Sequence, residues 1–183
     1  MRRGHNMSCR IGILAFGMLS SIALADPAAD LELGEAAFNR EDVMTAITLF
    51  TKAAEQGYEP AQFRLGELLD SSEYDQEAAE WYRKAAEQGY AAGEYALGHM
   101  YARGEGVEKN AEKALYWFRR AAAKNYLLAV KTLAQAYRTG EFGLTIDLEK
   151  AKPYEDNANI LETVAKRAAA KKAAELNKKG AGK

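Results

Sequence analysis

The chain is almost without cysteine. Cys9 is the only one among its 183 residues. It precedes the apolar stretch of the N-terminus instead of ending it, so it cannot be the lipid-modified first residue of a mature lipoprotein. A body without cysteine has no disulfide, no thiol nucleophile and no thiolate metal ligand, and only its core can hold it. Histidine is nearly as scarce. His5 falls in the N-terminal leader, so His99 is left as the sole imidazole of the body, a poor basis for an acid–base pair or a metal site. Carboxylates are plentiful, but no spacing pairs them as acid and base or as ligands. Long period-two alternation of apolar and polar residues, the mark of strands, is absent as well.

The N-terminus carries Arg2, Arg3 and Arg10, then an uncharged run from Ile11 to Leu24 that ends in Ala23-Leu24-Ala25 before Asp26. This is the layout of a secretory signal peptide, with cleavage expected after Ala25. The alternative, an uncleaved signal anchor, suits a run this short and interrupted by Gly12, Gly17, Ser20 and Ser21 less well. A start at Met7 would shorten the basic region only. The expected location is periplasmic or secreted, and the chain divides into a leader (1–25), a repeat domain (26–158) and a basic Ala/Lys-rich tail (159–183). A net charge of −1 hides an asymmetry: 25 acidic and 15 basic residues lie between Asp26 and Glu162, against seven basic residues and one acid from Ala165 to Lys183. The tail favours helix by propensity but has little to bury. It is either a solvated terminal helix or a segment for docking on an anionic envelope surface. No aromatic is interleaved with its lysines, which leaves nucleic acid an unlikely partner.

What the chain does have is repetition. Lys52 to Tyr58 and Lys84 to Tyr90 read Lys-Ala-Ala-Glu-Gln-Gly-Tyr, and a weaker copy, Ala121 to Tyr126, follows. Self-similarity at this period means stacked supersecondary units that bury their apolar faces on one another. The pairs Leu33-Gly34, Leu65-Gly66, Leu97-Gly98 and Leu133-Ala134 recur at spacings of 32, 32 and 36 residues, each putting a small residue where a neighbouring helix comes close. A second set recurs in register: Ala46, Ala78, Ala114 and Ala151; Phe50, Tyr82, Phe118 and Glu155; Ala53, Ala85, Ala121 and Ala158. Positions i, i+4 and i+7 share one helical face. Each unit is therefore a helix A with the Leu-Gly pair and a helix B with the Ala-aromatic-Ala stripe. Gly57, Gly89 and Asn125 are the expected helix stops, and Pro60 fits the first turn of a helix. The expected helices are 29–39, 42–56, 60–71, 74–88, 92–102, 110–124, 128–138 and 148–177. Pro153 is expected to kink or delay the last of them, and the fourth unit, with Glu155 in place of the aromatic, is read as a polar cap.

The segment Gly93-Glu94-Tyr95-Ala96-Leu97-Gly98-His99-Met100-Tyr101, then Gly104-Glu105-Gly106-Val107, then Lys113 to Ala122, resembles the Sel-1-like repeat, a relative of the tetratricopeptide repeat. The two units before it lack the Gly-x-Gly-Val loop and look nearer to plain tetratricopeptide units. The resemblance implies an all-α fold, a right-handed α-solenoid of about four antiparallel helix pairs. It also implies a protein-interaction scaffold without catalytic activity or cofactor, here expected in the bacterial cell envelope. Some cysteine-rich exported relatives have been linked to β-lactam binding. An envelope hydrolase is therefore the alternative, but this chain has none of their cysteines.

In such superhelices the A helices line the concave face. Counting from each Leu, the groove receives Leu31, Glu35 and Phe38; Phe63, Glu67 and Asp70; Tyr95, His99 and Arg103; Lys131, Gln135 and Arg138. The expected contacts with a protein or peptide partner come from the last three sets, with Tyr95, His99, Arg103, Lys131 and Arg138 foremost. Acidic groups give way to basic ones along this list, an order that would orient a charged extended peptide. The competing reading makes Phe63 and Tyr95 packing residues and the charges plain surface. Trp81 and Trp117, and Tyr58, Tyr90 and Tyr126, are read first as packing between helices and repeats. Gly104-Glu105-Gly106-Val107 follows a helix, has no third glycine and no lysine-serine pair, and so is a connector and not a phosphate loop.

Overall fold

The computed structural model describes residues 26–180, with side chains to residue 177; the expected leader, Cys9 and His5 lie outside the described residues. Eight helices follow in order: α1 (Pro27–Phe38), α2 (Val43–Glu55), α3 (Glu59–Ser71), α4 (Asp75–Glu87), α5 (Ala91–Arg103), α6 (Ala111–Ala123), α7 (Leu127–Thr139) and α8 (Leu148–Gly180), with a 3-10 turn at Glu141–Gly143 before α8. Among the described residues there is no strand. Each helix packs chiefly on the one before and the one after it. The array is thus four A–B pairs, α1–α2 to α7–α8.

The boundaries come from side chains the sequence supplies. The carboxylates of Asp26 and Asp42 and the amide oxygen of Asn110 accept backbone N–H groups of Ala28, Thr45 and Lys113 and so cap α1, α2 and α6. Gly57, Gly89 and Asn125 take positive φ. Behind each, the next tyrosine's N–H reaches back to Ala53, Ala85 or Ala121, closing a Schellman-type cap on the B helix. The fourth unit has Glu162 at this position, a residue that avoids the left-handed region. Its helix does not stop there but continues to Gly180. Pro153 neither delays nor divides α8: the helix begins at Leu148 and contains the proline in its second turn. The expectation of a delayed helix is corrected here, since losing one donor, the N–H toward Glu149, is outweighed by packing of the flanking Ala151 and Tyr154.

Within each of the first three units the ring of helix B presses on the glycine of helix A. A methyl group on Gly34, Gly66 or Gly98 would lie 2.5, 2.7 or 2.6 Å from Phe50, Tyr82 or Phe118. Leu65, Leu97 and Leu133 face inward, at 4%, 0% and 0% exposure, whereas Leu33 is 58% exposed because no described unit precedes α1. Packing between units uses the residue before each aromatic. Trp81 packs on the core of the first unit, Trp117 on that of the second and Tyr154 on that of the third. The Gly104-to-Val107 connector adds a further lock. Both glycines have positive φ, Val107 reaches the second unit's core, and a methyl on Gly106 would collide with the backbone carbonyl of Asp75.

One repeat position escaped the sequence reading. Asp30, Gln62 and Glu94 are equivalent and buried, and Val130 follows them in the fourth unit. Asp30 pairs with Lys52 at 2.9 Å. Gln62 donates to the Ala54 carbonyl and accepts from Gln88. Glu94 accepts from Arg120 and Lys124 at 2.9 and 2.7 Å. The ties to Lys52, Gln88, Arg120 and Lys124 join the start of helix A to the end of helix B in the same unit, while the bond from Gln62 to Ala54 reaches the unit before; these partners are what make burial tolerable.

The ring-on-glycine contact sets an expectation for mutagenesis. Gly98→Ala should lower stability by about 1–3 kcal/mol through overpacking, measured by urea unfolding. Adding Phe118→Leu should recover part of the loss; strictly additive losses would contradict the contact.

Candidate functional site

A cleft of about 330 Å³ opens along the A helices of the second and third units. Six of the predicted residues line it: Phe63, Glu67 and Asp70 from α3, and Tyr95, His99 and Arg103 from α5. They lie together because positions two before, two after and about six after each buried Leu fall on one side of the helix. Tyr82, Ala96, Met100, Glu105, Tyr126 and Leu128 complete the wall.

Its floor is aromatic. Phe63 lies 5.8 Å from Tyr82 and 5.7 Å from Tyr90; Tyr95 lies 5.7 Å from Phe118 and 5.3 Å from Tyr126. The ring two residues before the Leu thus rests on its own unit's core ring and on the tyrosine that caps the B helix. Phe63 and Tyr95 are both packing residues and cleft wall, since each stays partly exposed. His99 meets Tyr95 and Phe118 edge-on at 4.7 and 5.3 Å.

The remaining three predicted residues lie apart. Lys131, Gln135 and Arg138 line a second cleft, of about 390 Å³, together with Glu155, Ala158, Asn159 and Glu162 of α8. There Lys131 pairs with Glu162, and Arg138 with Glu155 at 3.2 Å. The groove carboxylates Glu35 and Glu67 of the first two units are likewise paired within the molecule. Arg64, which the sequence reading passed over, bridges Glu35 and Glu67 and lies 5.7 Å from the rings of Phe38 and Phe50. The expected run from acid to base is therefore largely neutralised within the molecule. The charge pattern alone could not reveal this, because Arg64 sits one residue off the groove positions and the carboxylates of α8 come from a helix read as a cap. What stays open is Asp70 of α3 and Arg103 of α5, the latter only loosely paired with Glu105 at 3.4 Å.

Burial biases some of the cleft's ionisable groups toward neutrality. Burial raises the Asp70 carboxyl above its ordinary range, helped by Glu105 and Asp75 and opposed by the Tyr82 hydroxyl that donates to it. Burial, and then Arg103, pushes the His99 imidazole down, against Glu105. The phenols of Tyr82, Tyr90 and Tyr126 are raised, again mainly by burial. Among the described residues no group of three His, Cys, Asp or Glu side chains is arranged to hold a metal ion. The site offers faces for apolar and aromatic groups, one imidazole and charged side chains.

Helix pairs stacked so that inner helices display such a wall define a helical-repeat scaffold. The Sel1 repeat family model matches residues 31–58, 59–90, 91–126 and 125–152, and the chain belongs to that family. The first two units, which resemble plain tetratricopeptide units in sequence, are matched with the rest. Among solved structures the chain is similar to c5321, a protective antigen of uropathogenic Escherichia coli strains displaying an SLR fold, with 33% identity, a TM-score of 0.70 and 74% of this chain covered. It is also similar to a Sel1 repeat protein from Oxalobacter formigenes, with 29% identity, a TM-score of 0.69 and 74% covered. The chain spans 31% and 59% of the lengths of those two proteins. No curated protein matches it. Sel1 repeats in general mediate protein–protein interaction, and proteins of this family are typically non-catalytic scaffolds.

His99 and Asp70 have opposite signatures. His99, lowered from its ordinary value of 6.5, binds a proton more readily when unfolded. It should cost stability as pH falls through and below that value, and His99→Gln should flatten this loss. Asp70, raised from 3.8, holds its proton better when folded, so its ionised form opposes folding above that pH. Asp70→Asn should raise the melting temperature at neutral pH and make no difference once pH falls below 3.8. Thermal melts across pH read both.

Proposed function

We propose that the chain is an exported scaffold that holds an extended segment of a partner protein in the cleft between α3, α5 and the start of α7. The observation that carries this reading is the cleft itself, in which the partly exposed rings of Phe63, Tyr95 and Tyr126 share one wall with the Glu67 and Asp70 carboxylates of α3 and with Arg103 of α5. Apolar residues of an extended segment would rest on the rings, and its polar groups would meet those carboxylates and Arg103, which fixes its direction. Arg103 has the better claim to direct contact than Lys131 or Arg138, which α8 already engages. The basic leader, the apolar run and Ala23-Leu24-Ala25 support export to the bacterial envelope.

The test is capture of partners from an envelope extract, read by mass spectrometry. Tyr95→Ala and Arg103→Ala should each weaken capture by roughly tenfold or more, the range of a contact worth about 1.4 kcal/mol. Arg138→Ala should change it little. Unchanged capture by the Tyr95 and Arg103 variants would remove the cleft assignment. Turnover of a chromogenic β-lactam, lost on His99→Ala, would overturn the scaffold reading altogether.

A further inference from the structure

Every A helix but the first is backed by the B helix of the unit before it, and the backing surface is a pair of alanines. Ala61 and Leu65 of α3 close on the core that holds Ala53 and Ala54. The Ala54 carbonyl accepts from Gln62. In the next unit a methyl on Gly93 of α5 would lie 2.7 Å from the Cβ of Ala85. Helix α1 repeats the pattern of these backed helices: Pro27-Ala28-Ala29-Asp30-Leu31-Glu32-Leu33-Gly34 stands in register with Glu59-Pro60-Ala61-Gln62-Phe63-Arg64-Leu65-Gly66. Yet Ala29 and Leu33 are exposed, where Ala61 and Leu65 are buried. Ile47 of α2 is exposed too, where Ala79 and Leu115 are buried.

The opposite end of the molecule carries the missing half. Beyond Glu162, α8 leaves the array, and each residue from Thr163 to Asn177 is exposed. This stretch contains Lys172-Ala173-Ala174-Glu175, the same four residues as Lys52-Ala53-Ala54-Glu55 and Lys84-Ala85-Ala86-Glu87, and Asn177 falls where those units have Gly57 and Gly89. The core ring has gone: Ala170 stands in register with Phe50 and Tyr82. The stretch therefore keeps the residues that a B helix turns to the following unit and drops the one it turns to its own A helix. Its 15 or so residues, roughly 22 Å of helix at the usual rise per residue, match the 13 residues of α2 and α4. Charge agrees with the pairing. The α1–α2 end exposes Asp26, Glu32, Glu41 and Asp42, and the projecting helix exposes Lys166, Arg167, Lys171 and Lys172. Two α1 ends would repel, whereas an α1 end and an α8 arm attract.

We infer that the projecting arm of α8 in one copy docks on α1 of a second copy, in the place that a preceding B helix takes on α3, α5 and α7, so that copies join head to tail. The contact is heterologous and propagates as a ring or an open chain. It involves the ends of the array and stands independently of the cleft. The lysines circle the arm without a face of large apolar residues opposite them, which suits a lipid surface less well than this alanine-lined seat.

Sedimentation of the purified full chain over a concentration series tests this, with the fold of each variant checked by circular dichroism. Wild type should rise above monomer mass with concentration and fall back toward it in high salt. Leu33→Glu should weaken association at least ~10-fold, and so should the double variant Ala173→Gln with Ala174→Gln, which keeps charge and helix propensity. Mixing the two variants leaves one good head and one good arm, and should restore a two-chain species. A wild type that stays monomeric at every concentration, its α1 face covered by residues 1–25 or left bare, overturns the inference. A mixture that stays monomeric overturns it as well, as does association that needs Leu33 but not the alanines, the result expected of two α1 ends meeting.

Discussion

A ring seated against a bare glycine backbone is the constraint from which the rest of this molecule follows. At Gly34, Gly66 and Gly98 the A helix has no side chain, and Phe50, Tyr82 and Phe118 of the B helix fill the space to van der Waals contact. That contact sets how closely two helices of a pair approach and at what height along each other. With the pair so fixed, Leu65 and Leu97 point back into the preceding unit, and Trp81 and Trp117 reach across to that unit's core. Burial of this kind is spread along the array instead of gathered at a centre, so each unit is stabilised by its own helix pair and by the units beside it.

The cleft is a by-product of the same spacing. Residues two positions before the Leu cannot enter the core, because the ring from helix B already fills it, and they lie on top of that ring instead. Phe63 and Tyr95 therefore form a wall that is rigid beneath and exposed above. Such a wall presents large contact area at low entropic cost, as recognition surfaces do. Beside it, burial holds Asp70 and His99 toward their neutral forms.

The helices, their order and their stops were legible from the sequence because each signal was local and repeated: a small residue after Leu, a ring four residues after Ala, a left-handed residue four after the last Ala. The inward leucines and the grouping of Phe63, Glu67, Asp70, Tyr95, His99 and Arg103 in one cleft followed from helical periodicity. The neutralisation of the groove was not legible. Arg64 lies next to a groove position without occupying one, and Glu155 and Glu162 meet Arg138 and Lys131 across a helix pair whose B helix had lost its ring. The Asp30, Gln62 and Glu94 position escaped for a different reason: acid, amide and acid at equal spacing look like ordinary surface until burial shows otherwise. The continuity of α8 through Pro153 shows one unfavourable residue overruled by the packing on either side of it.

That buried position also bears on how alike units are kept from trading places. A carboxylate answered by one lysine, an amide answered by another amide, and a carboxylate answered by an arginine and a lysine are three different locks at one height of the array. Were α3 to close on α6, Gln62 would face cations made for an acid, and a neighbouring carboxylate would be left without a counter-charge. Nearly identical apolar faces invite such exchanges during folding, and a buried polar group left with the wrong partner penalises them. The repeats share one architecture, and these three residues tell one copy from the next.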